Sequence, residues 1–323
     1  QVSGLGNEVI VLNDTGSVAA TTLTTVAALT TDGNVSASNA IAISGTAAEV
    51  TAALVTDTTN VVASLATVAI SDSGSIASTV LASIAAKTSG TVTASNITEI
   101  TEAAATIGTD AATVLSALGV ASNAAVTITG AISAANADLI ADATNGAVTA
   151  TVSDTAIADL MGISGTGNAL TITVGTATVS ASDLIAVNAA TTETVTATAV
   201  TRVNGSVADS LALITDVGLG EITGLTAAQF RLSDTGSNDI ADIITITGFT
   251  SGRVVSFAET YVGLVADFGS TSASASFFGL ISSADLITNS SFSITLSSQA
   301  SVTAQSLLDI LSSITTLSFD VSV

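Results

Sequence analysis

The chain has 323 residues, with 26 acids against four bases for a net charge of −22, and it lacks Cys, His, Pro and Trp. These absences exclude disulfides, thiolate metal centres, imidazole acid–base chemistry and histidine-based triads. The acidity excludes a nucleic-acid interface, because four bases cannot build a phosphate-binding face.

Apolar residues make up 48 % of the chain, against the low hydrophobicity of disordered sequences, so a folded chain is expected. No membrane span is expected: the longest uncharged stretch, Ala111–Ala137, is broken by Ser116, Gly119, Ser122 and Asn123 among others. The opening Gln1-Val2-Ser3-Gly4 has no early Lys or Arg. A signal peptide is therefore not expected there, and export would follow processing or another route.

From its amino terminus onward the chain repeats itself. Val9–Ser38 reads VIVLNDTGSVAATTLTTVAALTTDGNVSAS, and Val68–Ser95 reads VAISDSGSIASTVLASIAAKTSGTVTAS. Val126–Thr151 reads VTITGAISAANADLIADATNGAVTAT, and Leu170–Thr198 reads LTITVGTATVSASDLIAVNAATTETVTAT. Each phrase offers a β-branched strand, a small polar turn, a short Ala/Leu/Ile segment, a turn and a second strand. The valines opening the second strand, Val35, Val92, Val148 and Val195, lie 57, 56 and 47 residues apart. Further helical stretches, Thr46–Leu54 and Thr109–Leu118, fall between phrases. A unit of roughly 57 residues thus holds two strand–helix modules. Phe292–Leu317 has the pattern of a fifth copy.

Local chemistry supports these elements. Val126-Thr127-Ile128-Thr129 alternates with period 2, placing Val126 and Ile128 on one face. As a helix, Ala134–Thr144 would put Leu139, Ile140 and Ala143 on one side, with Asp138 and Asp142 on another. Ser133, Thr155 and Ser182 are capping candidates. Asp32-Gly33, Asn145-Gly146 and Asn204-Gly205 have the composition of tight turns with positive φ.

Strand–helix modules of short period return each strand by a crossover, which makes the sheet parallel. Linear stacking of such modules gives a solenoid. The expected fold is thus an α/β or mainly β solenoid of short strand–helix repeats over residues 1–225. An all-β solenoid is the alternative, since Thr21–Thr30 also suits a strand. All eight Phe and the single Tyr follow residue 229. Residues 226–323 are therefore expected to form a cap or assembly module, where rings close a wider core.

An enzyme is not expected. Asp138 with Asp142 is a carboxylate pair of the glycosidase kind, but the repeats offer no aromatic sugar platform. Ser164-Gly165-Thr166-Gly167 lacks the following Lys of a phosphate loop and reads as a turn. The only Lys, Lys87, allows at most one isopeptide bond. Calcium is the one ion the residues suit, because it takes six to eight oxygen ligands. The densest oxygen cluster is Asp234, Asn238, Asp239 and Asp242, with Asn13-Asp14 and Asp72 as a weaker second. Phe277, Phe278 and Phe319 are the candidates for an assembly contact.

SGLGNEVIVLNDTGSVAATTLTTVAALT (Ser3–Thr30) and ITGAISAANADLIADATNGAVTA (Ile128–Ala150) resemble the repeats of very large surface proteins of marine cyanobacteria and of virion proteins of their phages. That resemblance spans roughly residues 3–220 and implies an extracellular structural or adhesive role with no catalytic residues. DIADIITITGFTSGRVVSF (Asp239–Phe257) is similar to a strand segment near the carboxyl terminus of proteins exported by type I secretion. Calcium nonapeptides are missing, and Arg253 stands where an acid is usual.

The expected protein is therefore an extracellular structural protein that associates with copies of itself, head to tail, in a filament or surface layer. The alternative is an adhesin or phage fibre module whose carboxyl-terminal region binds a cell-surface glycan or host receptor.

Overall fold

A computed structural model describes residues 5–31, 33–37, 39–56, 61–107, 111–269, 276–288, 292–297 and 304–316. It is an α/β protein in which many short strands alternate with helices. Every described strand pairing is parallel, and no sheet closes on itself. The chain divides into two compact units, Gln1–Ser153 with Gly162–Leu170, and Asp154–Met161 with Thr171–Val323.

In the first unit, Ser17–Ala19, Ala42–Gly45, Thr67–Ile70 and Val92–Thr93 lie side by side. So do Gly74–Ala77, Ile97–Ala103, Ala125–Ile132 and Val148–Val152. Val18 pairs with Ile43, Ile43 with Val68 and Val68 with Val92, so the chain runs about 25 residues (one coil) from each strand to its partner. The longer repeat legible in the sequence is therefore two coils. Val35, Val92, Val148 and Val195 each begin a strand, as the repeats indicate.

The helices between strands seal the aliphatic interior. Ala20–Ala27 buries Leu23, Ala47–Leu54 buries Val50, and Ser78–Ala85 buries Leu81 and Ile84. Ala20–Ala27 is helical although it is rich in Thr, which sets aside the all-β alternative. Thr24 and Thr25 both donate their hydroxyls to the Thr21 carbonyl, satisfying polar groups inside the helix. Ala134–Ala143 buries Ala137 and Ile140 but leaves Leu139 exposed, so its apolar stripe is narrower than the expected one.

In the second unit, Thr178–Ser180, Arg202–Gly205, Gln229–Leu232, Val254–Ser256 and Leu286–Ile287 form one sheet. Val179, Val203, Phe230, Val254 and Leu286 form its buried row. This sheet takes strands from both sides of residue 225, and Phe230 is the aromatic member of its buried row. Ser237–Asp239, Thr260–Gly263 and Ser293–Leu296 form another sheet. Ile240–Phe249 is a helix, not the strand its Ile-Thr-Ile-Thr run suggests. Ile240, Ile243 and Ile246 turn inward at helical spacing, and Asp239 caps the start.

The turn glycines also differ from expectation. Gly33, Gly146 and Gly205 do not have positive φ, and Asn204-Gly205 lies within a strand. Gly146 and Gly252 instead allow close approach between coils. A Cβ on Gly252 would lie 2.4 Å from the Ala228 carbonyl oxygen, and one on Gly146 would lie 2.6 Å from that of Ala124. Each glycine ends a recurring Thr-Ser/Asn-Gly turn. Thr88, Thr144 and Thr250 donate to the carbonyls of Ala66, Ala124 and Ala228 one coil earlier, at 2.5, 2.6 and 2.6 Å. The same hydroxyls accept the N–H of Gly90, Gly146 and Gly252.

Helix starts are capped both locally and from the next coil. Ser133 and Thr46 cap their own helices, the latter in a reciprocal box with Glu49. Ser180, rather than Ser182, caps Ala181–Ala189. Thr155 caps nothing: the first N–H of Ile157–Leu160 goes to the Thr176 hydroxyl. Asp72 and Asp234 likewise accept from Ala47 and Val207, the first residues of helices 25 and 27 positions earlier.

Candidate functional site

Two of the four residues expected to hold calcium bond to helix starts. Asp234 accepts the Val207 N–H at 2.7 Å, and Asp239 accepts the Ala241 N–H at 2.8 Å. Burial, followed by the Asp239 charge, raises the Asp242 carboxyl above its usual range. Asn238 is buried in a strand, and its Nδ2 has no hydrogen-bond partner. Among the described residues, no three His, Cys, Asp or Glu side chains come together in a way that could hold a metal ion. Asp72, from the weaker candidate turn, is bonded to Ala47 N.

Asp138 and Asp142, paired by sequence, meet the Ser164 turn in space. The Ser164 N–H and hydroxyl lie 2.7 Å from Asp138 Oδ1, and the hydroxyl lies 3.0 Å from Asp142 Oδ1. The three residues are a surface clasp between the helix Ala134–Ala143 and a turn 26 positions after Asp138, beyond the next strand and the helix Ile157–Leu160, which no sequence motif announces.

Phe277 and Phe278 are fully buried. Phe277 packs against Tyr261, Phe268 and Phe292 with centroids 4.7, 5.8 and 5.7 Å away. In this fold the pair fills the core and offers no surface to a neighbouring copy. Phe319 lies outside the described residues. No helix among the described residues is long and apolar enough to cross a membrane.

A feature without a sequence motif lies on the outer face of the second unit's main sheet. Arg202, Arg231 and Arg253 are exposed, while Val203, Phe230, Leu232 and Val254 beside them are buried. The period-2 alternation of strands therefore turns all three outward. Arg202 pairs with Gln229, Asn204 with Arg231, and Arg231 with Val255. Arg253 precedes Val254, the partner of Phe230, and so falls beside Gln229. Three of the chain's four bases thus share one face of three adjacent strands.

The face is structured. Arg202 Nε donates to Gln229 Oε1 at 3.1 Å, and the Arg231 guanidinium sits 4.8 Å from the Phe257 ring centroid. Asn204, Arg231, Leu232, Ser233 and Phe257 line a cleft of about 270 Å³. Asn204 Oδ1 has no hydrogen-bond partner. The arginines recur roughly one coil apart, and this spacing is the only trace of the face in the sequence.

Comparison with family models, with curated proteins and with solved structures finds no match.

Proposed function

We propose that the protein is an extracellular structural protein, that its coils form a solenoid, and that copies associate end to end in a filament or surface layer. One observation carries this reading: strands near both ends of the described chain have an open parallel edge flanked by exposed apolar side chains. Ile10–Val11 pairs only with Val35–Ser36 among the described strands, and Val9 and Val11 are 57 % and 58 % exposed. Ser293–Leu296 pairs only with Thr260–Gly263 among the described strands, and Leu296 is exposed, as are Leu308 and Leu311 on the helix Ala304–Thr316. An open edge is a template for a further strand. In the proposed filament that strand belongs to the next copy, a heterologous contact that propagates.

The use of polar side chains supports a structural role. Thr88, Thr144, Thr250, Asp72 and Asp234 all tie one coil to the next. We assign the chain no catalytic role. Its charge of −22 opposes association at low salt. Salt that shrinks the Debye length to a few Å relieves this repulsion. Sedimentation velocity across a salt series tests the reading. Salt-promoted polymers are expected, and discrete monomers or trimers at high salt would overturn it. The adhesin reading has one observation in its favour, the arginine face.

A further inference from the structure

We propose that the arginine face of the second unit binds an acidic polysaccharide, with the cleft lined by Arg231, Phe257, Ser233 and Asn204 receiving one sugar unit that carries a carboxylate or sulfate. This binding does not depend on the filament.

Charge points to an anion. In a chain of 26 acids, three of the four bases stand on one outward sheet face. Guanidinium groups pair with carboxylate and sulfate oxygens through two parallel N–H bonds, a geometry a scattered surface charge does not offer. Adjacent strands lie ~4.8 Å apart, so Arg202 and Arg253, on either side of the Gln229 strand, are separated by ~10 Å at the backbone. A polymer with recurring anions can engage this row and the cleft together, which a single small anion cannot.

The cleft points to a sugar. At about 270 Å³ it is at the small end of ligand sites and suits one sugar ring. Its walls combine a cation, the Phe257 ring, the Asn204 side chain and the Ser233 hydroxyl. Amide and hydroxyl groups match sugar hydroxyls, and the surface of an aromatic ring matches the apolar C–H face of a sugar. An acidic protein surface would use the charge but not the cleft. Carboxylates of this chain such as Asp72, Asp234 and Asp239 are already bonded to backbone N–H groups. Asp285, which accepts the Ser283 hydroxyl and precedes the strand paired with Val254–Val255, bounds the face on its far side.

The test is calorimetric titration of the intact chain with dextran sulfate, polygalacturonate and unmodified dextran at low and high salt. Binding of at least one anionic polymer, weakened by salt, is expected, with none of dextran. Which of the two binds distinguishes sulfate from carboxylate as the recognised group. Arg231→Ala should weaken binding about tenfold or more, and the pair Arg202→Gln with Arg253→Gln should weaken it comparably. Lys87→Gln should leave it unchanged. All these side chains are exposed, and a matching thermal transition will show that each variant folds. Absence of binding to both anionic polymers at low salt overturns the proposal, as does binding that survives the arginine variants. If neither polymer binds and the Arg202/Arg253 variant abolishes self-association, the face belongs to a second copy and the proposal is likewise overturned.

Discussion

The Thr250 hydroxyl donates to the carbonyl of Ala228 at 2.6 Å, one coil earlier in the chain. It also accepts the N–H of Gly252 at 2.9 Å, so one side chain closes its own turn and ties it to the coil before. The bond is buried, and removing one partner leaves a carbonyl unsatisfied. Thr250→Val should therefore cost about 1–3 kcal/mol in a urea melt. Gly252→Ala should cost more, about 3 kcal/mol, because its Cβ would meet the Ala228 carbonyl oxygen at 2.4 Å. Gly218→Ala is the control. Gly218 lies in the helix Val207–Leu219 with nothing near a Cβ, so this change should stabilise by about 0.5–1 kcal/mol.

The repeats make the alternation of strands and helices legible, because β-branched and Ala/Leu segments differ in composition at each step. They also locate Val35, Val92, Val148 and Val195, since each of these strands turns an apolar residue into the interior. Contacts between coils leave no such mark. Gly146 has the local sequence of a turn glycine, and nothing nearby shows the carbonyl of Ala124 pressing on it from the preceding coil. Asp234 has the local sequence of a metal ligand for a similar reason: its partner, Val207 N, is one coil removed. The arginine face depends on strand register, which composition does not record. In Ile240–Phe249 the Ile-Thr alternation favours a strand, but burial of Ile243 and Ile246 at spacing three decides for a helix.

Asp234 provides a second test. Its carboxylate accepts from the first N–H of the helix Val207–Leu219, so Asp234→Ala should lower stability by about 1 kcal/mol. Because Asp234 and Asp239 are both bonded to helix starts, a chelator should leave the thermal transition of the wild-type chain unchanged. A drop of several degrees on chelation would instead support a calcium site at residues 234–242.

Tyr261 sets an alkaline limit. Burial pushes its phenol up to about 12 from 10, against a smaller lowering by the hydrogen bond to Ser256. The unfolded chain then loses this proton first as pH rises above 10. Stability should be unaffected below pH 10 and should fall between pH 10 and 12, by roughly 2–3 kcal/mol in total. Tyr261→Phe should remove this limb of the stability–pH curve, followed by thermal melts at each pH.

The buried rings should behave as core. Phe277→Ala should destabilise by about 3–5 kcal/mol, with exposure of dye-binding apolar surface. A Phe277→Ala chain as stable as wild type but unable to self-associate would instead place this ring at an assembly contact.

End-to-end association through open parallel edges is tested most directly by electron microscopy of the stained protein. At salt high enough to screen the net charge, polymers with a regular axial repeat are expected. They should disappear in Val11→Lys, which places a charge at the exposed edge. A field of discrete single particles at the same salt, or polymers unchanged by Val11→Lys, would contradict end-to-end association.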